Sequence, residues 1–169
     1  MTQLTHVLQL NRDAVAAILE RAVAIPADRW TEPRAPGKWS PAQVVEHVTK
    51  SYEGHRKMVQ GLIPTTKGPR LKQWVARTVF LPRMFKLGDF PGKRALKSPP
   101  FILPSDVPAP AAELLPRLEA AVNGLEDDLK KAEAEGRSVM HSFFGPLSPA
   151  DALHFVAIHT NHHRSQVAV

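Results

Sequence analysis

Cysteine is absent from the chain. Its absence excludes disulfides, thiolate metal sites and a nucleophilic cysteine, so any thiol chemistry must draw on a thiol that a substrate brings. Long apolar runs are also missing. None approaches the ~20 residues needed to cross a bilayer, and integral membrane association is not expected. The opening Met-Thr-Gln-Leu-Thr-His has no basic region leading into an apolar core. No signal peptide is expected, and a cytoplasmic location is the default. There are no β-hairpin signals and no sustained apolar–polar alternation, which argues against a β architecture.

What is present is the composition of an ordinary globular protein. The 169 residues are expected to form one domain over 1–169, hiding roughly 70% of the extended surface. The net charge of +6 is unevenly spread: residues 67–97 hold nine Lys/Arg against one acid, Asp89. The basic character therefore belongs to one segment.

Apolar periodicity predicts helices. Leu4, Val7, Leu8, Val15, Ile18, Leu19 and Ala22 make a 3.6-residue stripe over residues 3–24, which Pro26 ends. Trp39-Ser40-Pro41-Ala42-Gln43 is the sharpest local signal. Ser40 caps, Pro41 fits the first turn, and Gln43 closes a capping box. A second helix follows, from Pro41 to about Leu62, with Val44, Val48, Tyr52, His55 and Val59 near one face. Leu114, Leu118, Val122, Leu125 and Leu129 mark a third long helix over 111–134, with Gly136 as its stop. Ser148, Pro149 and Asp151 start a last one.

Between the second and third long helices, residues 63–109 form a basic, Pro-rich excursion. It reads as a long irregular crossover. Within it, Leu71–Phe85 is a candidate short helix, with Val75, Val79 and Met84 as its apolar positions and Pro82 as a kink or stop. The whole pattern predicts an all-α fold, a four-helix bundle with one long crossover.

The chemistry-bearing stretch lies at the end. Four of the eight histidines fall between His154 and Gln166. His159 and His163 are four apart, so on a helix their rings point the same way, one turn above the other. This spacing offers two imidazoles to one metal ion. The third ligand would come from the second helix. His47, two turns from Ser40, is one choice, and His55, two turns further along, is the other. Helix stagger decides between them.

Two motifs carry a resemblance. Pro36-Gly-Lys-Trp-Ser-Pro-Ala-Gln-Val-Val-Glu-His47 resembles the "GKWS…HL" start of the second helix in the DinB-like superfamily. His141-Ser-Phe-Phe-Gly-Pro-Leu-Ser148 and His159-Thr-Asn-His-His163-Arg-Ser-Gln166 resemble the branch of that superfamily that ends in "FGxLS…HxxHHxxQ". The resemblance implies a four-helix bundle in which His47, His159 and His163 bind a divalent metal. It also implies enzymes that use low-molecular-weight thiols, among relatives with no assigned activity, and pairing of chains as homodimers. The 63–109 excursion is not part of the motif set.

Three neutral imidazoles leave a divalent ion with open positions, the layout of a catalytic site. Zinc suits this donor set best, and nickel, iron or copper also take imidazole. Candidates to hold the outer ring nitrogens are Glu46, Asn161, Gln166, Tyr52 and Ser51. His141, in the loop before the last helix, is a candidate acid or base on the open face of the metal, or else a loop anchor. His162 points about 100° away from its neighbour. It is a candidate general base or an exposed residue. His6 and His154 read as surface or packing residues.

Two functions follow. One is a metal-dependent transferase or hydrolase acting on a small electrophile, with a thiol as co-substrate. The alternative is a non-catalytic bundle that binds an anionic partner, a nucleic acid or a membrane surface, through the basic 67–97 segment. Trp74, Phe80, Phe85 and Phe90 interleave with the cations there. A solvated loop pinned down by its aromatics accounts for the same composition.

Overall fold

A computed structural model describes residues 2–63, 69–91 and 98–168. Lys67, Lys93, Arg94 and Lys97 of the basic segment lie outside the described residues. Among the described residues the chain is mostly helical, with one small two-stranded sheet. Among the described residues, no helix is long and apolar enough to cross a membrane.

Each long helix starts where its local chemistry directs. α1 (Gln3–Val23) is capped by Thr2, whose hydroxyl accepts from the Thr5 N–H. It buries Leu4, Val7, Val15, Ile18 and Ala22, while Leu8 and Leu19 are half-buried against the core. α2 (Pro41–Val59) opens on a complete capping box. The Gln43 N–H donates to Ser40 Oγ at 3.2 Å, and the Ser40 N–H donates to Gln43 Oε1 at 3.1 Å. The helix ends a few residues before Leu62.

The described part of the excursion holds a helical rod around the expected Leu71–Phe85 helix. α3 (Arg70–Val75) continues through a π turn (Ala76–Phe80) into α4 (Leu81–Leu87). Pro82 falls in the first turn of α4. Proline lacks an N–H and crowds the carbonyl four residues back, and a widened turn relieves both problems. The π turn also shifts the helix phase. The buried positions are Ala76, Leu81 and Met84, five and then three residues apart. Val75 and Val79, expected inside, are exposed at 44% and 61%. Gly88 ends the rod in the left-handed region, at φ 64°.

α5 (Ala111–Ala134) buries Leu114, Leu118, Val122, Leu125 and Leu129, with Pro116 inside its N-terminal part. A small hairpin follows, which the sequence reading did not expect. β1 (Val139–His141) pairs antiparallel with β2 (Gly145–Leu147), His141 opposite Gly145. Gly145 takes φ 73°, which tightens the turn at little steric cost. Ser148 then caps α6 (Pro149–Arg164), accepting from the Asp151 N–H at 3.0 Å.

α1 packs along α6, and α2 packs along α5. α6 also meets α2 and α5. Tyr52, Phe144, Ile18, Leu118 and Leu153 are among the fully buried side chains. This arrangement turns the His47 face of α2 toward the His159–His163 face of α6.

Candidate metal centre

Residues 98–105 run across α2, with a 3-10 turn at Pro100–Ile102. Glu46 fixes this segment. Its carboxylate accepts from the Ser105 N–H at 2.9 Å and the Ser105 hydroxyl at 2.6 Å, and pairs with Lys50 at 2.9 Å. Lys50 also donates to the Leu103 carbonyl at 2.9 Å. The result is a backbone carbonyl, that of Ile102, held against the His47 ring.

His47, His159 and His163 come together. Their ring centroids are 4.6–5.1 Å apart. One nitrogen from each lies within 4.8 Å of the others, and among the described residues this is the one such group of three. All three rings are nearly or fully buried. Trp39 flanks them, its ring centroid 4.8 Å from His47 and 6.2 Å from His163.

The outer nitrogens set the tautomers of two rings. His47 donates its Nδ1–H to the Ile102 carbonyl at 2.7 Å, and His163 donates its Nδ1–H to Gln166 Oε1 at 3.1 Å. Each therefore turns a lone pair outward at Nε2. His159 Nδ1 is buried without a partner among the described residues.

Burial pushes the His47 imidazole below its usual pKa, and the nearby Lys50 adds to this, against the Ile102 hydrogen bond. Burial and the His47 and His162 rings bring His163 down to about 3. His159 is pushed well below 6.5, first by burial and then by His163 and His47. Three neutral imidazoles result, the protonation state that metal ligation requires.

The donor set fits a divalent ion. His47 Nε2 and His159 Nε2 are 3.2 Å apart. Two imidazoles on one tetrahedral ion at about 2.0–2.1 Å would place their nitrogens about 3.3 Å apart.

His159 and His163 border a cleft of about 820 Å³, walled by Phe90, Phe101, Phe144 and Phe155, and His47 lies buried behind them. His55 and His141 line the same cleft but are not among the three. His141 anchors the hairpin turn: its Nδ1 accepts from the Phe143 and Phe144 N–H groups at 3.1 and 3.3 Å. His162 sits at the edge of the cleft, 39% exposed, with Nδ1 2.9 Å from Asp89 Oδ1. His154 stacks on Phe85 at 4.0 Å and pins α4 to α6.

Of the residues expected to hold outer ring nitrogens, Gln166 does so. Glu46 holds the crossing segment instead. Tyr52 is bonded to Asn11 and Thr160 in the core, and Asn161 is exposed. Ser51 serves through its backbone carbonyl, which accepts from His55. The Ile102 carbonyl was missed, because a backbone acceptor has no side-chain signature.

A family model described as the DinB superfamily matches residues 8–167. No curated protein and no solved structure matches the chain.

Proposed function

The chain belongs to the DinB superfamily, and from that premise we propose that it is a single-domain four-helix bundle whose His47, His159 and His163 hold one divalent metal ion. Zinc is the preferred ion, with nickel or iron as alternatives. The proposed activity is transfer or hydrolysis at a small electrophile, with a low-molecular-weight thiol as co-substrate. The observation that carries this reading is the convergence of three buried, neutral imidazoles, two of which, His159 and His163, line an open cleft.

When bound, the ion lowers the pKa of a coordinated water or thiol and so supplies a nucleophile near neutral pH. The chain's own residues do the rest. His47 and His163 are pre-oriented by Ile102 and Gln166, so little ordering remains to be done on binding. Trp39 packs against the His47 ring, and the phenylalanines give the cleft beside the site apolar walls. Arg34 and Lys38 also line the cleft and favour an anionic co-substrate. His141 keeps its proton at Nε2, available as a donor to a molecule in the cleft. His162, paired with Asp89, is the proposed proton acceptor at the edge.

The test is thiol consumption by zinc-loaded protein with a small electrophile, across several thiols. Turnover that EDTA abolishes and zinc restores supports the reading. Rates equal to buffer with zinc across the panel would leave it without support.

A second reading rests on a different surface. Leu71, Trp74, Val75 and Val79 are exposed on the α3–α4 rod, beside Arg70, Lys72, Arg83 and Lys86. Phe80, Phe85 and Phe90 pack against the core, but Trp74 is 54% exposed. Exposed apolar residues among cations favour an anionic membrane surface as partner. Co-sedimentation with phosphatidylserine vesicles, reduced in Trp74→Ala, is the corresponding test.

A further inference from the structure

His55 and His141 are a second imidazole pair, with ring centroids 5.4 Å apart. Each ring has one nitrogen engaged and one free. His55 donates its Nδ1–H to the Ser51 carbonyl at 2.7 Å, so its neutral ring presents a bare lone pair at Nε2. That Nε2 is buried and has no partner among the described residues. His141 accepts two backbone N–H groups at Nδ1, so its proton resides on Nε2. One ring offers an acceptor and the other a donor, beside the aromatic rings of Phe144 and Phe155.

We propose that His55 and His141 form a binding subsite for a hydroxyl group carried on an aromatic ring. The hydroxyl donates to His55 Nε2 and accepts from His141 Nε2–H. A carboxylate has no proton to give His55, and an ammonium has no lone pair for His141. Burial holds both rings below the usual imidazole range, His141 at about 3, so an ionised group would meet no countercharge here. Phe155 stands edge-on to His141 at 5.2 Å and tilted to His55 at 5.7 Å. Such a wall suits the flat body of an aryl alcohol or phenol. The cleft, at about 820 Å³, has room for one beside the metal-binding rings. The subsite belongs to the cleft of the proposed enzyme, yet it needs no bound ion.

Phenol and toluene are the probes, because toluene replaces the hydroxyl with a methyl group of similar size. Each is titrated by NMR into EDTA-stripped and into zinc-loaded protein. Phenol should bind both forms at least tenfold tighter than toluene. His55→Leu removes the acceptor and leaves the hairpin turn intact. It should bring phenol affinity down to that of toluene. In the wild type, the imidazole ¹⁵N resonances of His55 and His141 should shift with phenol and not with toluene, a readout independent of the variant's folding. Equal affinity for the two probes, or undiminished phenol binding by His55→Leu, would overturn the proposal. So would phenol binding that requires zinc, which would put the hydroxyl on the ion and leave the metal reading intact. Phenol binding to a protein that takes up no zinc would uphold the subsite and remove the metal.

Discussion

The His47 ring donates its Nδ1–H to the carbonyl of Ile102 at 2.7 Å, across a sequence separation of 55 residues. This bond ties the crossing segment 98–105 to the proposed metal site. It makes the orientation of a ligand depend on groups that never touch the ion.

Glu46 is the main fastener of that segment, through Ser105 and Lys50. Glu46→Ala should let Ile102 drift from His47. Outer partners of ligating histidines typically carry 10–100-fold in metal affinity, and Glu46 acts one step further out. We expect about tenfold weaker zinc binding by calorimetric titration, with an unchanged stoichiometry. Unchanged affinity would show that the Ile102 bond does not need this support.

A buried network centred on Tyr52 joins four helices. Tyr52 donates to Asn11 Oδ1 at 2.6 Å and accepts from the Thr160 hydroxyl at 3.0 Å, and Asn11 donates onward to Glu126 at 3.1 Å. Tyr52→Phe leaves the Asn11 acceptor buried and unsatisfied, at a cost of about 1–3 kcal/mol in denaturant unfolding. Zinc affinity should not change. A joint loss of stability and zinc binding would mean that the network also positions His159 and His163.

Burial holds His141 at about 3 and depresses His55. In the unfolded chain both return to about 6.5. Below that value the unfolded state takes up protons that the folded state does not. Stability is therefore complete above about pH 6.5 and is lost as pH falls toward 3. Each such ring contributes a slope of up to about 1.4 kcal/mol per pH unit. The melting temperature of EDTA-stripped protein should fall steadily from pH 6.5 to 5, and less steeply in His141→Asn. A flat profile over that range would contradict buried neutral imidazoles.

The parts of this structure legible in the sequence are those with local causes. Ser40–Gln43 and Ser148–Asp151 announce two helix starts, because caps are made within four residues. The four-residue step from His159 to His163 places two rings side by side for the same reason. The choice between His47 and His55 was not local. It depended on how far α2 is shifted along α6, which packing decides. The α3–α4 rod was obscured because its π turn breaks the 3.6-residue period, leaving Val79 outside and Leu81 inside. The hairpin around Gly145 escaped because three-residue strands are too short to show alternation. The Ile102 carbonyl was invisible because its identity is conformational.

The most direct test of the central claim is elemental analysis of protein purified without chelator and reconstituted with zinc, alongside His47→Ala, His159→Ala and His163→Ala. The wild type should carry about one equivalent of divalent metal per chain, and each variant should lose most of it while keeping its helical circular dichroism. A His159→Ala protein that retains a full equivalent would contradict the assignment of these three imidazoles to one ion.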